Sequence, residues 1–246
     1  MPHAMENLPA YIGITFVFTT GLTVWLFYRA AHESRRVLGL VLLWLLVQGV
    51  AGLSGFYTAT NTLPPFFLLM VGLPMLAIAT LFITTRGQAF LKGLRIEVLM
   101  LLHIVRVPVE LVLYWLYLHG AVPELMTFEG RNWDILSGLS APAVFYFGFV
   151  NKRLGRKALL AWNFICLGLL VAIVVNAVLS APSPFQQFAF SQPNVAIQYF
   201  PFVWLPACVV PLALMAHLVS IRQLLHDAVV PNKAQWANSH VASVTN

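Results

Sequence analysis

An all-α, polytopic membrane fold with seven transmembrane helices is what this sequence predicts, on three observations. Hydrophobic residues make up 60% of the 246 and charged residues only 9%, with a mean hydropathy of +0.82, a balance no soluble surface accommodates. Apolar segments of roughly twenty residues, the length that crosses a bilayer core about 30 Å thick, recur seven times along the chain. Lys and Arg gather in alternate connections, as they do in cytoplasmic loops. With an odd number of spans, that alternation puts the N-terminus outside and the C-terminus in the cytoplasm.

The first span, residues 8–28, has no basic region ahead of it and no small-residue cleavage site behind it, while Arg29, Arg35 and Arg36 follow. It reads as a retained helix, unlike a signal peptide. The second, 37–58, carries Gly49, Gly52 and Gly55, a flat face for close helix packing, and the polar Gln48. The third, 63–84, is interrupted by Pro74 and followed by Arg86, Lys92 and Arg95. The fourth, 97–119, holds His103, Arg106, Pro108 and Glu110. The fifth, 133–150, opens on Asp134 behind Asn132, a good N-cap with an acid in the first turn to complement the helix dipole. It contains Pro142 and precedes Lys152, Arg153, Arg156 and Lys157. The sixth, 158–179, carries Asn163, Cys166 and Asn176, and the seventh, 200–220, carries Pro206, Cys208, Pro211 and His217. Residues 1–222 thus form one transmembrane domain, and 223–246, with Lys233, form a short polar cytoplasmic tail. Each proline removes an amide donor and frees the carbonyl four residues earlier, such as that of Ile104 beneath Pro108.

Two outer connections stand out. Residues 120–132 place Glu124, Glu129 and Arg131 at the outer mouth, while 180–199 is uncharged and rich in Phe, Gln and Pro. A loop of that length is functional or mobile, and its aromatics suit either the headgroup interface or a cap over the bundle.

The candidate site is the run His103-Ile-Val-Arg106-Val-Pro108-Val-Glu110. Ionisable groups inside a span are costly and mark functional sites by default. At 100° per residue the three lie within about a 60° arc, so they share one face. Arg106 and Glu110, four apart, are expected to pair directly. Depth from the span ends places Gln48 in their layer, with His103, Asn163 and His217 together nearer the cytoplasm. Asn176 lies nearer the outside and about 140° around the helix from Asn163, so only one of the two faces the cavity. Arg has five donors and a permanent charge, so one carboxylate leaves donors for water, carbonyls or an anionic ligand. The alternative is a buried polar lock that only fixes helix register.

Specific chemistries find less support. There is no His-Glu-x-x-His or similar metal spacing, and the last span has no Schiff-base lysine for a retinal pigment. No Gly-x-Ser-x-Gly elbow surrounds Ser54, Ser137 or Ser140. Cys166 and Cys208 are lone thiols in apolar spans, without a Cys-x-x-Cys partner. His103 and His217 could serve as axial ligands of a haem held between the fourth and seventh helices. A cation at the outer mouth would draw on His119, Glu124, Glu129 and Asp134, whose spacing is not that of a calcium loop. The net charge of +6 is accounted for by topology and contact with membrane lipids, with no nucleic-acid partner required.

The stretches His103–Glu110, Pro123-Glu-Leu-Met-Thr-Phe-Glu-Gly-Arg-Asn-Trp-Asp134 and Ser180-Ala-Pro-Ser-Pro-Phe-Gln-Gln-Phe-Ala-Phe190 resemble a group of uncharacterised bacterial integral membrane proteins of about this length, over nearly the whole chain. The resemblance implies a bacterial plasma-membrane location and brings no activity or catalytic residues. The expected function is binding or moving a small anionic or amphipathic molecule, with Arg106 holding the anionic group and Glu110 orienting it or carrying a proton. Gln48, His103, Asn163 and His217 complete the lining. The alternatives are an enzyme using Glu110 and His103 for proton transfer on a lipid-like substrate, and a receptor or assembly subunit whose polar groups are structural.

Overall fold

The computed structural model describes residues 3–59 and 65–226, and among them the chain is helix and turn throughout. Residues 227–246, most of the expected tail and its Lys233, lie outside the described residues. The helices are α1 (His3–Glu6), α2 (Ala10–Ala30), α3 (Arg35–Leu53), α4 (Leu68–Ile83), α5 (Thr85–Gly93), α6 (Ile96–Leu102), α7 (Arg106–Leu118), α8 (Ile135–Phe145), α9 (Arg156–Ser180) and α10 (Val210–His226).

Among the described residues, four helical rods are long and apolar enough to cross a membrane: α2, α3, α9, and Leu205–His226, which contains α10. A fifth is available if α4 and α5 are taken as one span, although they meet at 93°. The expected count of seven is not reached on length alone, for two local reasons. The segment read as one span at 97–119 is divided into α6 and α7 by a 3-10 turn at His103–Val105. Pro108, just beyond, cannot supply the amide that a continuous helix would offer to Ile104. The segment read as 133–150 is helical only over Ile135–Val150, which rises about 24 Å at 1.5 Å per residue against a core of roughly 30 Å.

Prolines mark the other irregularities. Pro142 lies inside α8, which passes into a wider π turn at Tyr146–Val150, and Leu205–Val209, containing Pro206, forms a second π turn leading into α10. Pro211 lacks the amide that would reach Ala207 in a regular helix, and the indole nitrogen of Trp44 donates to the Ala207 carbonyl at 2.8 Å. Trp204 returns the arrangement, donating to the Leu45 carbonyl at 2.9 Å. The glycine face expected on the second span packs here: a Cβ on Gly52 would stand 2.9 Å from Val203 Cγ1, and one on Gly49 would touch the Trp204 ring.

α10 is the most enclosed of the long helices and α3 the least. α10 packs on α9 and α6, and α2 packs along α6 and α7. Buried Thr19, Thr20 and Thr23 of α2 return their hydroxyls to carbonyls four residues back, so their burial leaves no unpaired polar atom. The two long connections close one end of the bundle together. The amides of Val195 and Ala196 both reach the Ala121 carbonyl at 3.1 Å, and the Gln192 side chain donates to Tyr117 and Val122 carbonyls. The base of the 180–199 loop is therefore a cap, while its Phe185, Phe188 and Phe190 remain exposed.

Candidate functional site

Arg106 is the first residue of α7, directly after the 3-10 turn, and is 4% exposed. The expected pairing with Glu110 is not what forms. Its Nη1 makes an ion pair with Asp134 and points weakly at the Cys166 carbonyl, and its Nη2 donates to His217 Nε2 at 3.0 Å. Asp134 also accepts from the Ser137 hydroxyl at 3.2 Å. It is therefore a buried partner of Arg106 and not a surface carboxylate at the mouth of the bundle. Its depth goes with the shortness of the helical run Ile135–Val150: Met126, Thr127, Asn132 and Asp134 are all buried, so the connection dips into the bundle before α8 begins.

A guanidinium only donates, so His217 Nε2 offers its lone pair and the ring proton lies on Nδ1. That proton faces Asn163 Oδ1 at 2.9 Å, and Asn163 Nδ2 donates onward to the Leu159 carbonyl at 2.9 Å and weakly to Met100 Sδ. One hydrogen-bonded chain thus runs from the start of α8 through α7 and α10 to α9. Asn163, and not the half-buried Asn176, is its member.

His103 lies face to face with His217, ring centroids 3.8 Å apart and 14° from parallel, with Trp162 edge-on at 5.5 Å. Two imidazoles in face contact point no nitrogen at a metal between them, and His217 Nε2 is occupied by Arg106. The bis-histidine haem arrangement does not fit these residues. Both ring nitrogens of His103 are without a hydrogen-bond partner. Among the described residues no three His, Cys, Asp or Glu side chains converge as a metal site.

Glu110, one turn along α7 from Arg106, is held differently. Its Oε1 accepts from Asn132 Nδ2 at 2.5 Å, the same Nδ2 donates to the Met126 carbonyl, and Asn132 Oδ1 accepts from the Asp134 amide. Its Oε2 has no partner. Glu110 and Asp134 lie at the edge of a cavity of about 70 Å³ whose other walls are apolar, including Met70, Leu170, Ile173 and Pro206. Gln48, expected in this layer, is elsewhere: its Oε1 accepts from the Tyr57 hydroxyl at 2.7 Å, within the α3 end of the bundle. Equal depth does not make residues neighbours when their helices are not adjacent.

Asn132, Asp134 and Trp162 were not in the expected site. The available signal was Asp134 itself, an acid at the start of a segment too short to span.

Residues 63–225 match the model of a domain of unknown function, DUF8737. The chain belongs to the DUF8737 family. The match takes in α4 to all but the last residue of α10, hence every member of the Arg106 and Glu110 network, and leaves out Gln48 and Tyr57. No curated protein and no solved structure matches this DUF8737 chain.

Proposed function

We propose that this DUF8737 protein is a seven-span integral membrane protein of a bacterial plasma membrane, N-terminus outside, that binds or moves a small amphipathic molecule through a site at Glu110. Seven spans are supported by treating α6, the 3-10 turn and α7 as one crossing, and Ile135–Val150 as a short crossing completed by the buried connection before it. The basic residues at alternate ends support the orientation.

One observation carries the ligand reading: the unpartnered Oε2 of Glu110 at the edge of the small apolar-walled cavity. Burial with one donor disfavours the ionised form of the Glu110 carboxyl, and a cation at Oε2 is what would hold it as a carboxylate. Arg106 does not compensate it, because its charge is taken by Asp134 and its Nη2 donates to His217, which leaves only Nε without a partner. The balance of Arg106, Asp134 and Glu110 therefore favours a cationic or strongly hydrogen-bond-donating head over the anionic group expected from Arg106 alone. In this reading Glu110 receives the head, Asn132 orients the carboxylate, and Leu170 and Ile173 receive the apolar stem. The Arg106–His217–Asn163 chain is favoured as the structural lock that holds α7 in place, since the hydrogen bonds of both Arg106 Nη atoms, His217 and Asn163 close on protein atoms and only Arg106 Nε is left over.

The test is thermal stabilisation of the purified full chain by short primary alkylamines against matched alkyl carboxylates. The amines are expected to raise the Tm of the wild type and not of Glu110→Gln, and the carboxylates to have no effect on either. Stabilisation that survives in Glu110→Gln, or equal stabilisation by carboxylates, would overturn the assignment.

A further inference from the structure

A second cavity lies away from Glu110. It is a half-open groove of about 450 Å³ between α3 and α4, floored by the Ala207–Met215 part of the Leu205–His226 rod. Its walls are Val37, Leu40 and Trp44 of α3 and Leu73, Ala77 and Leu81 of α4. That volume lies in the range of about 300–1,000 Å³ typical of ligand sites, and its surface is almost wholly apolar. Val37 to Trp44 and Leu81 to Leu73 each cover about 10–12 Å of helix, close to the depth of one leaflet of a core roughly 30 Å thick.

The groove is closed at one end by Phe90 of α5, the helix that turns 93° away from α4. The same end is basic. Arg36 is one turn before Leu40 on α3, and Arg86 is one turn before Phe90 on α5, so each shares a face with a lining residue. Both are exposed, and neither side chain has an ion-pair or hydrogen-bond partner among the described residues. Arg222 of α10 reaches the junction of α4 and α5, with its guanidinium 5.7 Å from the centre of the Phe82 ring and donating to Gln88. An apolar slot one leaflet deep, ending in unpaired arginines, has the polarity of a phospholipid with a negative headgroup.

We propose that this groove is a binding site for an anionic phospholipid of the leaflet on the basic side. One acyl chain lies between α3 and α4, and the phosphate meets the arginines at the α5 end. The proposal shares with the Glu110 reading only the placement in a membrane, and each can fail without the other.

Native mass spectrometry of the full chain in detergent, titrated with dioleoyl phosphatidylglycerol or dioleoyl phosphatidylcholine, tests it. The wild type is expected to retain one phosphatidylglycerol at least about tenfold more tightly than phosphatidylcholine, the scale of two basic groups near anionic headgroups. Ala77→Phe, which fills the groove, is expected to weaken phosphatidylglycerol by about tenfold, while Val171→Phe on the exposed face of α9 has no effect. The exposed double variant Arg36→Gln/Arg86→Gln is expected to bind both lipids alike, and it stays informative if Ala77→Phe does not fold. Equal binding of the two lipids by the wild type, a preference that survives in the double variant, or displacement of the lipid by inorganic phosphate would each overturn the proposal.

Discussion

The guanidinium of Arg106 pairs with Asp134, 28 residues along the chain, and leaves Glu110, on its own helix face, to Asn132. Breaking a buried ion pair by removing one partner costs about 3–5 kcal/mol, whereas replacing both with apolar groups of similar volume is often neutral or better. Arg106→Met and Asp134→Leu are each expected to lower the Tm in detergent sharply, and the double variant to recover most of the loss. Additive losses would mean that the two side chains do not act as a pair.

Gly138 sets how closely α8 approaches that arginine. A Cβ there would stand 2.8 Å from Val107 Cγ2, 2.9 Å from the Val107 amide and 3.2 Å from Arg106 Cβ, with backbone among the obstacles. Gly138→Ala is expected to destabilise by about 1–3 kcal/mol, the usual range for overpacking. Gly168→Ala on α9, where nothing lies within 4 Å, is expected to be neutral or to gain a few tenths from helix propensity. Thermal melts of the two variants side by side check the contrast, and equal effects would remove the close approach as the cause.

Much of this was legible in the sequence, and each miss has its own physical origin. Rise per residue fixes depth along a helix, so the level shared by His103, Asn163 and His217 was readable. Which helices are adjacent is not encoded in depth. Gln48 therefore matched Arg106 in height while belonging to Tyr57 on another side of the bundle. Asp134 failed in the opposite sense: taking the fifth segment as full length put its start at the surface, when the short helix and the buried connection carry it inward. The proline positions were informative in kind, marking the π turns and the Ala207 carbonyl, but the 93° turn into α5 was hidden in what reads as a basic loop.

Trp44 and Trp204 bind carbonyls of different status. Leu45 lies inside a regular helix where Gly49 can supply an amide, whereas Ala207 stands four residues before Pro211 and takes the Trp44 indole instead. Leaving a buried acceptor unsatisfied costs about 1–3 kcal/mol. Trp44→Phe is therefore expected to lower stability more than Trp204→Phe, and Pro211→Ala to recover part of the loss in the Trp44→Phe background by restoring an amide. A Trp204→Phe loss as large as that of Trp44→Phe would show that ring packing, and not the indole hydrogen bond, dominates.

The seven-span proposal is decided at one residue. If α6 with α7 and the rod after it each cross the membrane, Glu129 lies on the opposite side from Lys92 and Arg153; if neither crosses, all three lie on one side. Lys92 and Arg153 face the same side in both cases, so they calibrate the measurement without biasing it. All three are exposed, and the native thiols Cys166 and Cys208 are buried, so a thiol introduced at each position reports on its own. A membrane-impermeant maleimide is expected to label Glu129→Cys and Gln187→Cys in intact cells, and Lys92→Cys and Arg153→Cys only after permeabilisation. Reversed labelling would invert the orientation while keeping the count. Glu129→Cys behaving like Arg153→Cys would reduce the spans to five, and would place the Arg106–Asp134 pair in a segment that enters the membrane without crossing it.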